Sequence, residues 1–272
     1  MNNISVLAVQ HEIVWEDRLA NFRKLEQLIM PVQEPVDLVV LPEFFALGFS
    51  ENMGHLAESP DGATCMWMNR LARSMGAVVC GTVPLITSQG VVNRFLWVAP
   101  DGQTAWYDKA HLFAVGGETQ HLVKGNSRTV VEIDDWRLMP QVCYDLRFPV
   151  FCRNSYSAGS YAYDVLVFTA NWPASRSHHW RSLLVARAIE NQCYVVGVNR
   201  TGVDGNGLVH QGDTLVVDYK GNMIAGAVDD APQTVLASLS LESLQEWRVR
   251  FPVAHDWDTS WPPPFHNARL GK

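Results

Sequence analysis

Short apolar segments with almost no polar alternation recur along the chain and leave few architectures open to it. Residues 36–41 read VDLVVL, residues 165–170 read VLVFTA, and a further strand at 137–142 runs directly into Cys143. Strands of this kind are buried on both faces, so the sheet must be covered by other layers, as in a layered α/β fold. A helix with apolar residues at Leu19, Phe22, Leu25 and Leu28/Ile29 is expected over 17–30, after a strand at 4–10. A second helix near 64–74 leads to strands at 77–83, 94–99 and 104–108, an order that departs from strict strand-helix alternation and predicts a mixed sheet. Residues 129–133 and 137–142 form a hairpin, residues 194–199 another strand, residues 214–218 and 223–227 a hairpin across Lys220-Gly221-Asn222, and residues 233–239 a last strand. The segment 201–207 (TGVDGNG) reads as a glycine-rich turn without phosphate-loop context.

The residues just past the strand ends matter more than the strands. Glu43, Lys109 and Cys143 each come at the C-terminal end of a predicted strand, which in a layered fold places them on one rim. Each alone has an ordinary reading: a solvated carboxylate, a surface lysine, a small buried hydrophobe. The neighbours argue otherwise, since FFALGF after Glu43 is too apolar for an exposed loop and Lys109 lies among Tyr107, Leu112 and Phe113. A thiol, an ammonium and a carboxylate can perform acyl transfer through a thioester, with Lys109 lowering the thiol pKa and holding an oxyanion while Glu43 moves protons. Hydrolysis of a carbon-nitrogen bond fits this set, because the leaving nitrogen needs a proton and the acyl-enzyme needs an activated water.

A formal charge of −7 without any basic run argues against nucleic acid or an anionic membrane as partner. No apolar stretch reaches the ~20 residues that span a bilayer, and the start shows no secretory leader pattern. Five cysteines without a CxxC pair suit a reducing compartment, so a cytoplasmic enzyme is expected. His111 and His121 show no metal-binding spacing, and the scheme requires neither metal nor other cofactor. The helix expected over 177–192 is apolar nearly all round, with Trp180, Leu183, Leu184 and Ala188 on one face and Val185, Ala186 and Ile189 on another. A helix covered on two sides suggests a second subunit, and its Arg187, Glu190 and Asn191 read as structural polar partners. The body is expected over 1–250, with 251–272, rich in Pro, Trp and Phe, as a tail that docks on the body or on a second subunit.

The segments LPEFFALGF, YDKAHLF and VCYDLRFP, in this order, resemble the Glu-Lys-Cys signature of the nitrilase superfamily, the carbon-nitrogen hydrolases. The tracts TANWPASRSHHW and ARAIENQCYVVGVNRTGVDGNG most resemble its bacterial omega-amidase branch. The resemblance implies a four-layer α-β-β-α sandwich with two mixed sheets that dimerises through helices. It implies Cys143 as nucleophile, Glu43 as general base and acid, and Lys109 with the backbone N–H of Tyr144 as oxyanion donors. Glu118, at the family spacing before Gly125, is implied to position Lys109, and Asn171 and Trp172 to line the pocket. The expected substrate is a small ω-amide of a 2-oxo dicarboxylic acid such as 2-oxoglutaramate, whose carboxylate needs a cation; Arg147 and Arg176 are the candidates. Gly116-Gly117 and the run NSYSAGSYAYD depart from the family pattern and bear on substrate choice. A carbamoyl-amide or nitrile hydrolase and a catalytically idle scaffold are the alternatives.

Overall fold

The computed structural model describes residues 3–258. Five strands come first: β1 (Asn3–Gln10), β2 (Leu38–Val40), β3 (Val78–Thr87), β4 (Gly90–Val98) and β5 (Thr104–Asp108). The chain then forms β6 (Val131–Ile133), β7 (Trp136–Val142), the small hairpin β8 (Tyr156–Ser157) and β9 (Ser160–Tyr161), and β10 (Val165–Ala170). It continues with β11 (Tyr194–Asn199), β12 (Thr201–Val203), β13 (Val209–Gln211), β14 (Leu215–Val217), β15 (Met223–Gly226) and β16 (Gln233–Ser240). Two six-stranded sheets result, in the orders β16-β1-β2-β3-β4-β5 and β15-β14-β11-β10-β7-β6. Both are mixed: β1, β2 and β3 run parallel, as do β7, β10 and β11, with antiparallel strands flanking each trio.

The side-chain pattern stacks these elements in four layers. Val6 and Ala8 of β1, Val40, Phe95 and Trp97 pack between the sheets against Leu138, Val142, Val165, Val167 and Val196. The opposite faces of the same strands carry Leu7, Val9 and Val39, which meet Phe22, Leu25 and Ile29 of the helix Arg18–Ile29 and Trp67, Met68 and Leu71 of the helix Ala63–Met75. On the far side Leu166, Phe168 and Val195 meet Trp180, Leu184 and Ala188 of the helix Ser177–Asn191. Burial on both faces is why these strands lack alternation.

Two points depart from expectation. The 201–207 stretch is not a free turn: β12 and β13 pair as an antiparallel hairpin, and the Asp204 carboxylate closes its tip by accepting from Asn206 N and Leu208 N at 2.9 Å each. A helix unread in the sequence, Leu241–Arg250, begins at Ser240, whose hydroxyl oxygen accepts from Ser243 N. The helix Ser177–Asn191 buries one apolar face within the chain, while Ile189 on the other is 51% exposed. Its polar residues are structural, in keeping with the sequence: Arg187 pairs with Glu190 at 2.9 Å and donates to Leu146 O, and Asn191 Oδ1 accepts from Asn154 N. Of the expected tail, residues 251–258 contact the body, with Trp257 edge-on to Tyr161 and under the Arg153 guanidinium; residues 259–272 lie outside the described residues.

Candidate active site

β2, β7 and β10 are members of the parallel trios, and β5 regains the direction of β3 after two antiparallel steps. Their C-terminal ends therefore share a rim, and Glu43, Lys109, Cys143 and Asn171 are delivered to it from both sheets. Sharp backbone turns aim the side chains inward. Cys143 has φ +44° at the end of β7, and Phe44, next to Glu43, has φ +46°, its N–H held by Thr82 Oγ1 at 2.8 Å. The Lys109 turn is fixed by Lys109 N donating to Asn93 O and by Gly125 N donating to Lys109 O. Gly125 must be glycine here, since a Cβ would fall 2.0 Å from Asp108 O.

At the floor, Lys109 is 1% exposed and Glu43 is fully buried. The ammonium donates to Glu43 Oε1 at 2.9 Å and to Glu118 Oε1 and Oε2 at 2.9 and 2.8 Å. Burial alone would lower the Lys109 pKa, but Glu118 and Glu43, with the Cys143 sulfur, outweigh it and raise the value. Lys109 accordingly stays charged and serves as a fixed cation rather than a base. Asn93 Nδ2 donates to both carboxylates, at 2.9 Å to Glu43 Oε1 and 3.2 Å to Glu118 Oε1. Glu118 Oε2 also accepts from Phe113 N at 2.6 Å. Asn171, expected only to line the pocket, also grips Glu43, with its N–H on Oε2 at 2.9 Å and its Nδ2 on the Glu43 carbonyl at 2.5 Å.

The thiol departs from the sequence-based expectation. Lys109 does pull the Cys143 pKa down, yet burial first and the Glu43 carboxylate second outweigh it, and the value lies well above that of an ordinary thiol. At rest the Cys143 thiol is therefore neutral, in the field of the Glu43 carboxylate, an arrangement in which a carboxylate can serve as general base. Cys143 opens a short helical turn, Cys143–Arg147. The first N–H groups of such a turn have no partner within it, which leaves Tyr144 N–H without an intra-turn acceptor.

Above the floor lies a cavity of about 350 Å³, walled by Phe49, Phe113, Tyr144 and Trp172 and carrying Arg147, Arg176, Asp204 and His210. Arg147 stacks 4.6 Å from the Trp172 ring centroid, and Arg176 lies 5.9 Å from that of Phe113. Among the described residues neither arginine pairs with a carboxylate. Burial, with Arg200 nearby, lowers the His210 pKa to about 4, so its imidazole is neutral near pH 7.

Sequence reasoning missed Asn93, Asp204 and His210. Asn93 carried a readable signal, a lone amide inside the apolar strand GVVNRFLWV; the other two reach the cavity only because β12 and β13 fold back over it.

Comparison with known proteins agrees in extent with this picture. Residues 5–249 match the family described as carbon-nitrogen hydrolase. The chain is 44% identical over 258 residues to the omega-amidase YafV of Yersinia enterocolitica, covering 95% of this chain and 98% of that protein. It is 32% identical to the 2-oxoglutaramate amidase of Bacillus subtilis (strain 168), covering 93% and 96%. The crystal structure of XC1258 from Xanthomonas campestris, a CN-hydrolase superfamily protein with an arsenic adduct in its active site, superposes with a TM-score of 0.93 at 42% identity, covering 97% of this chain and all of that one.

Proposed function

The chain belongs to the carbon-nitrogen hydrolase family, and from that premise we propose that it is an omega-amidase, releasing ammonia from the terminal amide of 2-oxoglutaramate or 2-oxosuccinamate. The observation that carries the substrate assignment is the pair Arg147 and Arg176, two arginines without carboxylate partners among the described residues, in a cavity whose floor holds a thiol. A guanidinium without a carboxylate partner beside aromatic rings is suited to bind the free carboxylate of a small acid.

Chemistry then proceeds from the floor. As Cys143 Sγ attacks the amide carbon, its proton passes to Glu43, whose Oε2 accepts the Asn171 N–H and keeps a lone pair for the proton. The developing oxyanion is stabilised by Lys109 Nζ and Tyr144 N–H. Glu43 returns the proton to the departing nitrogen, ammonia leaves, and the thioester remains on Cys143. Glu43 next takes a proton from water, which attacks the thioester and releases the 2-oxo dicarboxylic acid. Glu118 and Asn93 keep Lys109 and Glu43 in place through both halves.

The five free thiols fit a reducing cytoplasm, and no helix among the described residues is long and apolar enough to cross a membrane. Ile189, 51% exposed on the outer face of the helix Ser177–Asn191, supports a homodimer; light scattering giving a monomer mass would remove that part of the proposal.

Intact-protein mass spectrometry after brief mixing with 2-oxoglutaramate, beside an ammonia assay, tests the reading. An acyl adduct that is absent in Cys143→Ala, together with ammonia release, supports it. Ammonia from neutral small amides but not from the acid would refute the substrate class.

A further inference from the structure

One buried carboxylate outside the floor cluster has more donors than any structural cap requires. Asp145 is fully buried. Its Oδ2 accepts from Val142 N at 2.9 Å and from Tyr107 Oη at 2.8 Å, and its Oδ1 accepts from His111 N at 3.0 Å and His111 Nδ1 at 2.7 Å. The Tyr107 hydroxyl in turn accepts from Ala110 N at 3.0 Å. Burial and the Asp145 charge raise the Tyr107 pKa, so the phenol remains a donor.

These donors belong to two different sheets. Val142 ends β7 and precedes Cys143, whereas Tyr107, Ala110 and His111 flank Lys109 at the end of β5. β5 is the edge strand of its sheet and has a strand neighbour on one side only. Between the sheets the packing is apolar, and apolar contact is non-directional. Hydrogen bonds to one carboxylate are directional, and charge-assisted ones are the stronger kind. Asp145 also takes the Val142 N–H, keeping the strand end closed two residues before Tyr144.

We infer that Asp145 is a positioning residue that clasps the Cys143 turn of one sheet to the Lys109 turn of the other, setting the distance between nucleophile and oxyanion cation. Substrate does not touch it. The inference rests on the proposed roles of Cys143 and Lys109, but its first readout does not depend on which amide is hydrolysed.

The test compares Asp145→Asn and Tyr107→Phe with the unaltered protein. It follows the pH profile of Cys143 alkylation by iodoacetamide, kcat and KM on 2-oxoglutaramate per alkylatable thiol, and the melting temperature. For Asp145→Asn, kcat is expected to fall about 10²-fold, the loss typical of a 1 Å misplacement, with KM within about threefold. The midpoint of the alkylation profile should move by roughly half a pH unit or more as Lys109 shifts relative to the thiol. Tyr107→Phe should move both quantities in the same direction by less. A folded Asp145→Asn with unchanged kcat per thiol and an unmoved alkylation profile overturns the clasp. If that variant does not fold, unchanged values in Tyr107→Phe overturn it instead. Absence of turnover in the unaltered protein would refute the amidase reading while the alkylation profile still decides the clasp.

Discussion

The floor and the mouth of the pocket are built on opposite principles. At the floor Lys109 makes hydrogen bonds to two carboxylates, Glu43 accepts from three residues, and little can move. At the mouth Arg147 and Arg176 rest on aromatic faces, and Asp204 and His210 arrive on a two-stranded hairpin outside both main sheets. A network in which the buried ammonium and both carboxylates are paired holds one geometry in a low-dielectric setting, whereas cations at an opening that lack a carboxylate partner can accept a ligand's charge. On the proposed reading the reaction belongs to the floor and the choice of substrate to the mouth.

Substitutions can break this division, and the largest effects belong below. Cys143→Ala should eliminate turnover, a loss on the order of 10⁴-fold or more, while calorimetry still detects the acid binding. Lys109→Ala should cost about 10²- to 10³-fold in kcat, as for one oxyanion donor; a variant retaining half its turnover would remove Lys109 from the chemistry. Asn93→Ala, which deletes a donor shared by both carboxylates, should lower kcat by roughly tenfold or more with little change in KM, the signature of a contact used in the transition state. At the mouth, Arg176→Ala should raise KM for 2-oxoglutaramate about tenfold, consistent with loss of one charged hydrogen bond, and leave a neutral amide unaffected. Equal losses on both substrates would end the separation of roles.

A further effect, outside the pocket's division of roles, is on stability. His11 and His210 are buried, with pKa values lowered by burial to about 3 and about 4 from 6.5. Below pH 6.5 the unfolded chain takes up protons on both residues that the folded chain refuses. The stability they allow is therefore full above pH 6.5 and declines as pH falls toward 4, by roughly 1–3 kcal/mol per pH unit for the pair. Urea midpoints at pH 7.5 and 5 would show the decline, and His210→Gln should flatten part of it.

The same contrast sets what could be read from the sequence. Strands 165–170 and 194–199 have the bounds expected of them, because a doubly covered strand is apolar nearly throughout and stops where polar residues begin; the edge strand 104–108 also has its expected bounds, starting after the Asp101-Gly102 turn. Glu43, Lys109, Cys143 and Asn171 come at or just past such ends, so locating the strands locates the floor. The mouth depends on how β12 and β13 turn back over the rim, a contact between distant segments that no local pattern encodes. The helix Leu241–Arg250 escaped notice because it buries only Leu241, Leu244 and Arg248, too few for a periodic signal.

The positive φ of Cys143 has a consequence for the range of nucleophiles open to this scaffold. A branched Cβ is a genuine outlier in that backbone region, so threonine is barred from the position by sterics before any question of reactivity arises. Serine keeps the unbranched Cβ and can occupy the turn. Any hydroxyl-bearing descendant of this enzyme would thus have to pass through serine, and the backbone, rather than the acid-base groups around it, would have made that selection.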